Sequence, residues 1–290
     1  MIGIIYNPKT NKGTSVERMK GILSLLDETG IDYIYRESEY AGHSIVLAKE
    51  LAKECDILVP SGGDGTVYEV VNGALDEDVR FFPLPLGSGN DVCRVLNLHG
   101  KSDEELIDAL IAGKECDYDY GFLNGKYAML ILLSYGAITD VTYQFSIRTG
   151  VSKHGYYSTL LKAFFTSRPK NYHIRTDSGE KDYFADFVSL QNLCNSGGGM
   201  ILCNDASECD GKLDLVVAQH RSLFRKVLNL LAINAGKLPK QPNIITEKVT
   251  FAEITPSSGE EIYCIDGELA RTDRMDVIVG SHKLRFIHNR

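Results

Sequence analysis

The sequence predicts an α/β domain followed by an all-β domain, and three observations carry that prediction. Apolar strand-like runs alternate with helical periodicities as far as about residue 120. From Lys126 the helical alternation weakens and closely spaced β-rich runs take over. The third observation is Ser61-Gly-Gly-Asp-Gly-Thr66, a glycine turn set between the apolar run Ile57-Leu58-Val59 and a segment of helical spacing that continues to Leu75.

In chain order, 2–6 reads as a buried strand. Thr14 followed by Glu17 has the capping-box pattern and starts a helix running to about Glu28. A second strand at 31–35 precedes a helix at 44–54 with Ile45, Leu47, Ala48 and Leu51 on its apolar side. The third strand, 57–59, leads into the glycine turn, and a fourth, 81–84, leads into Leu86-Gly-Ser-Gly-Asn-Asp91. Ser102 with Glu105 caps a further helix that stops near Gly113. This alternation predicts a parallel sheet covered by helices on both faces, with ligands at the carboxyl ends of its strands. The later strands are 127–133, 172–176, 184–190, 213–218, 248–254, 262–265, 275–279 and 284–287, with Asp177-Ser-Gly179 as a hairpin turn. Together they predict an antiparallel sandwich, with the domain boundary at 120–130.

A chain of 290 residues, 43% of them hydrophobic, can bury a sizeable core, and its length suggests two domains. The formal charge of −8 argues against a nucleic-acid partner. No apolar segment reaches the ~18 residues of a membrane span. Met1-Ile-Gly-Ile-Ile-Tyr6 lacks a basic region and runs straight into Asn7-Pro8, so it reads as a strand rather than a secretory leader. A cytoplasmic protein is expected. Its seven cysteines form no CxxC pair and no zinc spacing, which favours reduced, mostly buried thiols.

Three loops carry candidate chemistry. Glycines let backbone N–H groups approach a phosphate closely, and a helix N-terminus favours the negative charge. Asp64 would repel that anion unless a divalent cation lay between them, as in phosphoryl transfer from a nucleotide. In Asn7-Pro-Lys-Thr-Asn-Lys-Gly13, Lys9 and Lys12 suit phosphate contacts, although a solvated basic turn fits equally well. In Gly87-Ser-Gly-Asn-Asp91, Asp91 is either a metal-region carboxylate or a helix N-cap. Asp266-Gly-Glu268 follows a strand, and its carboxylates are either a general base or turn chemistry.

Gly62-Gly-Asp-Gly-Thr66 with Glu69 and Asn72-Gly73, Pro85-Leu-Gly-Ser-Gly-Asn-Asp91, Gly197-Gly-Gly199, Asp210-Gly211 and Asp266-Gly-Glu268 occur in the order seen in the diacylglycerol kinase catalytic-domain family. The chain resembles that family, which includes bacterial lipid kinases and the sphingosine and ceramide kinases, over nearly its whole length. The resemblance implies a phosphofructokinase-like α/β nucleotide-binding domain at 1–122, to which a C-terminal segment of about 276–290 returns, and a lipid-binding β-sandwich at 123–275. It implies an ATP-dependent kinase that phosphorylates a lipid hydroxyl, diacylglycerol or a related lipid, with Mg²⁺. An NAD kinase-like enzyme is the alternative.

By the same resemblance, ATP falls on Asn7, Pro8, Lys9, Thr10, Asn11, Lys12, Ser38, Gly62, Gly63, Asp64, Gly65, Thr66, Val67, Tyr68 and Ser88. Asp64 and Asp91 become carboxylates of the catalytic metal region, with Asp119 a candidate to join them, and Asp266 or Glu268 takes the hydroxyl proton. A structural magnesium falls on Asp210, with backbone carbonyls of Ser207 and Lys212. Three positions depart from the family pattern: Ser88 stands for Thr, Asn11 for the usual first-loop Gly, and Tyr68 for an aliphatic residue. The expected partners are a lipid at a membrane surface, met peripherally, and a second copy of the chain in a homodimer.

Residues 220–241 carry Arg221, Arg225, Lys226, Lys237 and Lys240 and no acid, against the acidic total of the chain. Leu223, Val227, Leu230 and Leu231 are expected on one helical face. The segment is either a membrane-facing element or a helix packed on the sandwich with solvated basic residues.

Overall fold

In the computed structural model, which describes residues 1–146, 162 and 164–290, the chain divides into two compact units. One comprises Met1–Asp119 with Ser281–Arg290, the other Tyr120–Gly280.

The first unit is a mixed sheet with helices. Its strands are β1 (Ile2–Tyr6), β2 (Tyr33–Glu37), β3 (Ile57–Gly62), β4 (Arg80–Phe81), β5 (Leu84–Pro85) and β6 (Glu115–Tyr118), joined by the last strand of the chain, Leu284–Ile287. The spatial order is β2-β1-β3-β4, then the last strand, then β6, with β5 continuing alongside β3. Pairing is parallel except between the last strand and β6. β1 is buried throughout, as expected for a central parallel strand with both faces covered. The helices are α1 (Val16–Thr29), α2 (His43–Leu51), α3 (Asp64–Gly73), α4 (Asp91–Val95) and α5 (Asp103–Ala112). Met19, Ile22 and Leu26 form the buried stripe of α1, at the spacing one helical face requires.

Local chemistry explains where expectation and structure part. The Ser102–Glu105 capping box forms reciprocally and Gly113 ends α5 in the left-handed conformation. The box expected at Thr14 does not form: the Thr14 hydroxyl donates to the Asn11 carbonyl, and α1 begins after Ser15 without a side-chain cap. Ile45, expected inside, is exposed on α2. The strand expected at 81–84 is two short pieces, because Phe82-Pro83 separates two stretches that both pair with β3.

The second unit is built on an eleven-stranded antiparallel sheet that forms the β-sandwich. Lys170–Thr176 and Gly179–Gln191 make the expected hairpin, with Thr176 opposite Gly179. The run expected at 248–254 is divided by Thr250 between Ile244–Val249 and Phe251–Pro256. Met275–Val279 pairs with Phe251–Pro256 and with Gly121–Leu123, so it belongs to this sheet, and the chain rejoins the first unit from Ser281. Glu115–Tyr118 and Gly121–Leu123 are strands that the sequence pattern did not announce. A core of Phe187, Leu202, Val216, Ala218, Leu230, Ile233 and Leu238 fixes the helix Leu223–Asn234 against the sheet.

Candidate active site

In the first unit, the loops after β1, β3 and β5 leave the carboxyl ends of parallel strands and are stitched together there. The Asn7 N–H donates to the Ser61 carbonyl (3.0 Å), Leu86 N–H to the Gly62 carbonyl (3.0 Å), and Asn11 Nδ2 to the Leu86 carbonyl (2.6 Å). Asn11 sits at φ +48°, the left-handed conformation that asparagine tolerates, and so reproduces the turn a glycine would make. Lys9 N–H closes an Asx turn on Asn7 Oδ1 (3.0 Å), while its ammonium reaches the Glu39 carbonyl (3.0 Å). Pro8 and Thr10 complete this loop, with Thr10 buried; the Lys12 side chain lies outside the described residues. Ser38, buried at the end of β2, donates its N–H to the Tyr6 carbonyl (2.8 Å).

The two glycine loops meet at backbone distance. A Cβ on Gly87 would overlap the Gly63 Cα, and one on Gly62 would overlap the Thr66 hydroxyl. Asn90, itself at φ +57°, closes the second loop: its Oδ1 accepts from Gly87 N–H (3.0 Å) and its Nδ2 donates to the Gly87 carbonyl (2.7 Å). Ser88 is exposed at the tip. No side chain caps α3 at Gly63, and a helix start of this kind favours negative charge. Thr66, Val67 and Tyr68 are buried, so the large Tyr68 side chain belongs to the core. Glu69 is a packing device: its carboxylate accepts from the Gly42 N–H that precedes α2 (2.9 Å).

Two carboxylates share this edge. Asp91 is buried, and Asp64 accepts from the Val92 N–H (3.3 Å). Burial, and then the charge of Asp91, push the Asp64 carboxyl up to about 6. Arg94 Nε lies 3.7 Å from Asp91 Oδ1, one helical turn on, a partner that sequence spacing alone could have suggested. A half-buried acid whose ionisation is opposed by a buried neighbouring carboxylate is the kind of donor pair a divalent cation relieves, so these residues fit Mg²⁺. Asp119, the further candidate, is buried, and its carboxylate is paired with the Lys283 ammonium.

In the second unit, Asp266 and Glu268 differ sharply. Asp266 is buried at φ +49° in the turn between Glu261–Ile265 and Glu268–Thr272. Its carboxylate accepts from three consecutive backbone N–H groups, those of Leu130 (2.6 Å), Ile131 (2.9 Å) and Leu132 (2.9 Å). A carboxylate so held is a clamp on the neighbouring strand, its oxygens engaged by three backbone donors. Glu268, by contrast, is exposed.

The set expected to hold a structural magnesium does not fit one. Asp210 Oδ1 accepts from the Lys212 N–H (3.0 Å), and the Lys248 ammonium takes Asp210 Oδ2 (2.7 Å), Asp214 Oδ2 (3.0 Å) and the Asp205 carbonyl (2.9 Å). Lys248 lies directly opposite Asp214 across the strand pair, so the fold places an internal cation among these oxygens. Ser207 instead has its hydroxyl 3.4 Å from Cys209 Sγ. Among the described residues no three His, Cys, Asp or Glu side chains converge as a metal-binding group. In an Asp64→Asn background, which removes the first unit's carboxylate pair, thermal unfolding is expected to be indifferent to EDTA or Mg²⁺. Adding Lys248→Met should lower the melting temperature and make it rise with Mg²⁺, because two partly buried carboxylates lose their counter-charge. A chelator-sensitive Asp64→Asn protein would contradict this reading.

A family model for the diacylglycerol kinase catalytic domain matches residues 1–123, and one for the YegS C-terminal NAD kinase beta sandwich-like domain matches 137–285. The chain belongs to the diacylglycerol kinase catalytic-domain family. It is therefore an ATP-dependent lipid kinase. It is 28% identical to a diacylglycerol kinase of Bacillus subtilis over 271 residues, covering 91% of this chain and 88% of that one. It is also 28% identical over 273 residues to a diacylglycerol kinase of Staphylococcus carnosus, covering 91% and 87%. Its fold is similar to that of a diacylglycerol kinase from Bacillus anthracis, with a TM-score of 0.75, 19% identity and coverage of 99% and 96%. It is also similar to an NAD kinase from Archaeoglobus fulgidus in complex with ATP, with a TM-score of 0.58, 13% identity and coverage of 100% and 94%.

Proposed function

We propose that this kinase transfers the γ-phosphoryl group of ATP to the free hydroxyl of diacylglycerol at a membrane surface, with Mg²⁺ as the metal. The observation that carries the reading is the half-buried Asp64 next to the buried Asp91, beside two glycine loops in backbone contact. The names of the curated relatives support the choice of lipid. The loop residues 7–12, with Ser38, Gly62 to Tyr68 and Ser88, form the ATP site: glycine backbone and the α3 N-terminus take phosphate, and Lys9 adds positive charge. Asp64 and Asp91 would hold the magnesium, which would supply positive charge against the phosphates. Glu268 accepts the proton of the lipid hydroxyl, and Asp266 fixes the strand on which that chemistry depends.

The substrate is tested by incubating the protein with ATP and a total lipid extract, followed by mass spectrometry. Addition of one phosphate to diacylglycerol is expected; addition to a sphingoid base or ceramide instead would overturn the choice of lipid.

A further inference from the structure

We infer that the outer face of the helix Leu223–Asn234 docks the protein on an anionic lipid bilayer. The inference rests on the lipid-kinase reading for its purpose but on this helix for its geometry. Leu223, Phe224 and Leu231 are 66%, 69% and 59% exposed, large apolar side chains on a helix that buries Leu230, Ala232 and Ile233. Phe224 and Leu231 are two turns apart and share a face, with half-buried Val227 and Leu228 between them. Leu230 and Ile233 point the other way into the sandwich core, so the apolar face expected from the sequence is divided in two.

Lys226 is also on the inner side, which removes it from the basic rim that the sequence pattern suggested. It is buried, donating to the Ser167 carbonyl (2.7 Å) and lying 3.4 Å from Asp186, which also meets His220 (3.0 Å). That buried polar anchor fixes the roll of the helix and thereby holds Phe224 and Leu231 outward. Arg221 and Arg225 flank the start of the stripe, Lys237 and Lys240 follow the helix, and no acid lies between 220 and 241.

The occupant follows from charge and size. A second copy would bring the same arginines against each other across a two-fold axis. A helix of 12 residues offers a strip about 18 Å long and about 10 Å wide, roughly a quarter of the ~800 Å² per partner that a stable dimer buries. An anionic bilayer matches both features, accepting a shallow apolar stripe and attracting the basic rim.

The test uses the full chain in co-sedimentation with phosphatidylcholine vesicles, with and without phosphatidylglycerol. Phe224→Ser with Leu231→Ser, and separately Arg221→Glu with Arg225→Glu, should each lower partitioning onto the anionic vesicles by about tenfold or more. Both pairs should leave phosphorylation of a monomeric short-chain diacylglycerol unchanged. Wild-type partitioning by both variants would overturn the inference, as would a serine variant that changes only the oligomeric state in analytical sedimentation. A wild-type protein that binds vesicles but phosphorylates no short-chain diacylglycerol would overturn the choice of lipid and uphold the docking.

Discussion

Asp64→Asn is expected to lower the phosphoryl-transfer rate by about two to three orders of magnitude while making the metal-free protein harder to unfold at neutral pH. The two effects share one cause. Burial and the Asp91 charge raise the Asp64 carboxyl from its ordinary 3.8 to about 6. The folded state thus binds that proton more tightly than the unfolded state. The stabilising contribution is complete below about pH 4 and is lost as pH rises through about 6. A shift of this size corresponds to at most about 3 kcal/mol, less for the partial exposure of the side chain. The asparagine variant should therefore lose the decline in stability between about pH 4 and 6, measured by chemical denaturation in EDTA at a series of pH values. A variant with normal turnover, or one with the wild-type pH profile of stability, would remove Asp64 from the site.

The second large effect separates two carboxylates that lie two residues apart. Glu268→Gln should lower kcat by about 10²–10⁴-fold with the KM for ATP and the melting temperature unchanged, because a proton acceptor acts in the transition state. Asp266→Asn should do the reverse in kind. Its amide would present N–H to a backbone N–H, leaving buried donors unpaired at a cost of about 1–3 kcal/mol or more. Its melting temperature should fall, and any loss of kcat should follow loss of folded protein. Normal kcat in Glu268→Gln would return the proton acceptor to another group.

Much of the first unit was legible because its signals are local. β1 is continuous and apolar, the Ser102–Glu105 box lies within one helical turn, and glycine turns between strand and helix mark a phosphate site. What the sequence hid depends on distant partners. Thr14 and Glu17 have the spacing of a cap, but the left-handed Asn11 offers a nearer carbonyl. Asp119 reads as a candidate third acid of the metal region, and its pairing with Lys283, more than 160 positions away, is invisible in the sequence. Asp266 and Glu268 are equivalent on paper, and only the three N–H donors of Leu130–Leu132 distinguish them. Lys226 reads as one more solvated cation, yet Asp186 and Ser167 draw it inside.

The central claim is that this chain moves phosphate from ATP to a lipid hydroxyl. Purified protein with Mg²⁺ and γ-labelled ATP should be offered diacylglycerol in mixed micelles and, in parallel, NAD. The account predicts label in phosphatidic acid, none in NADP, and loss of the lipid signal with Asp64→Asn. Label in NADP with none in the lipid would contradict it.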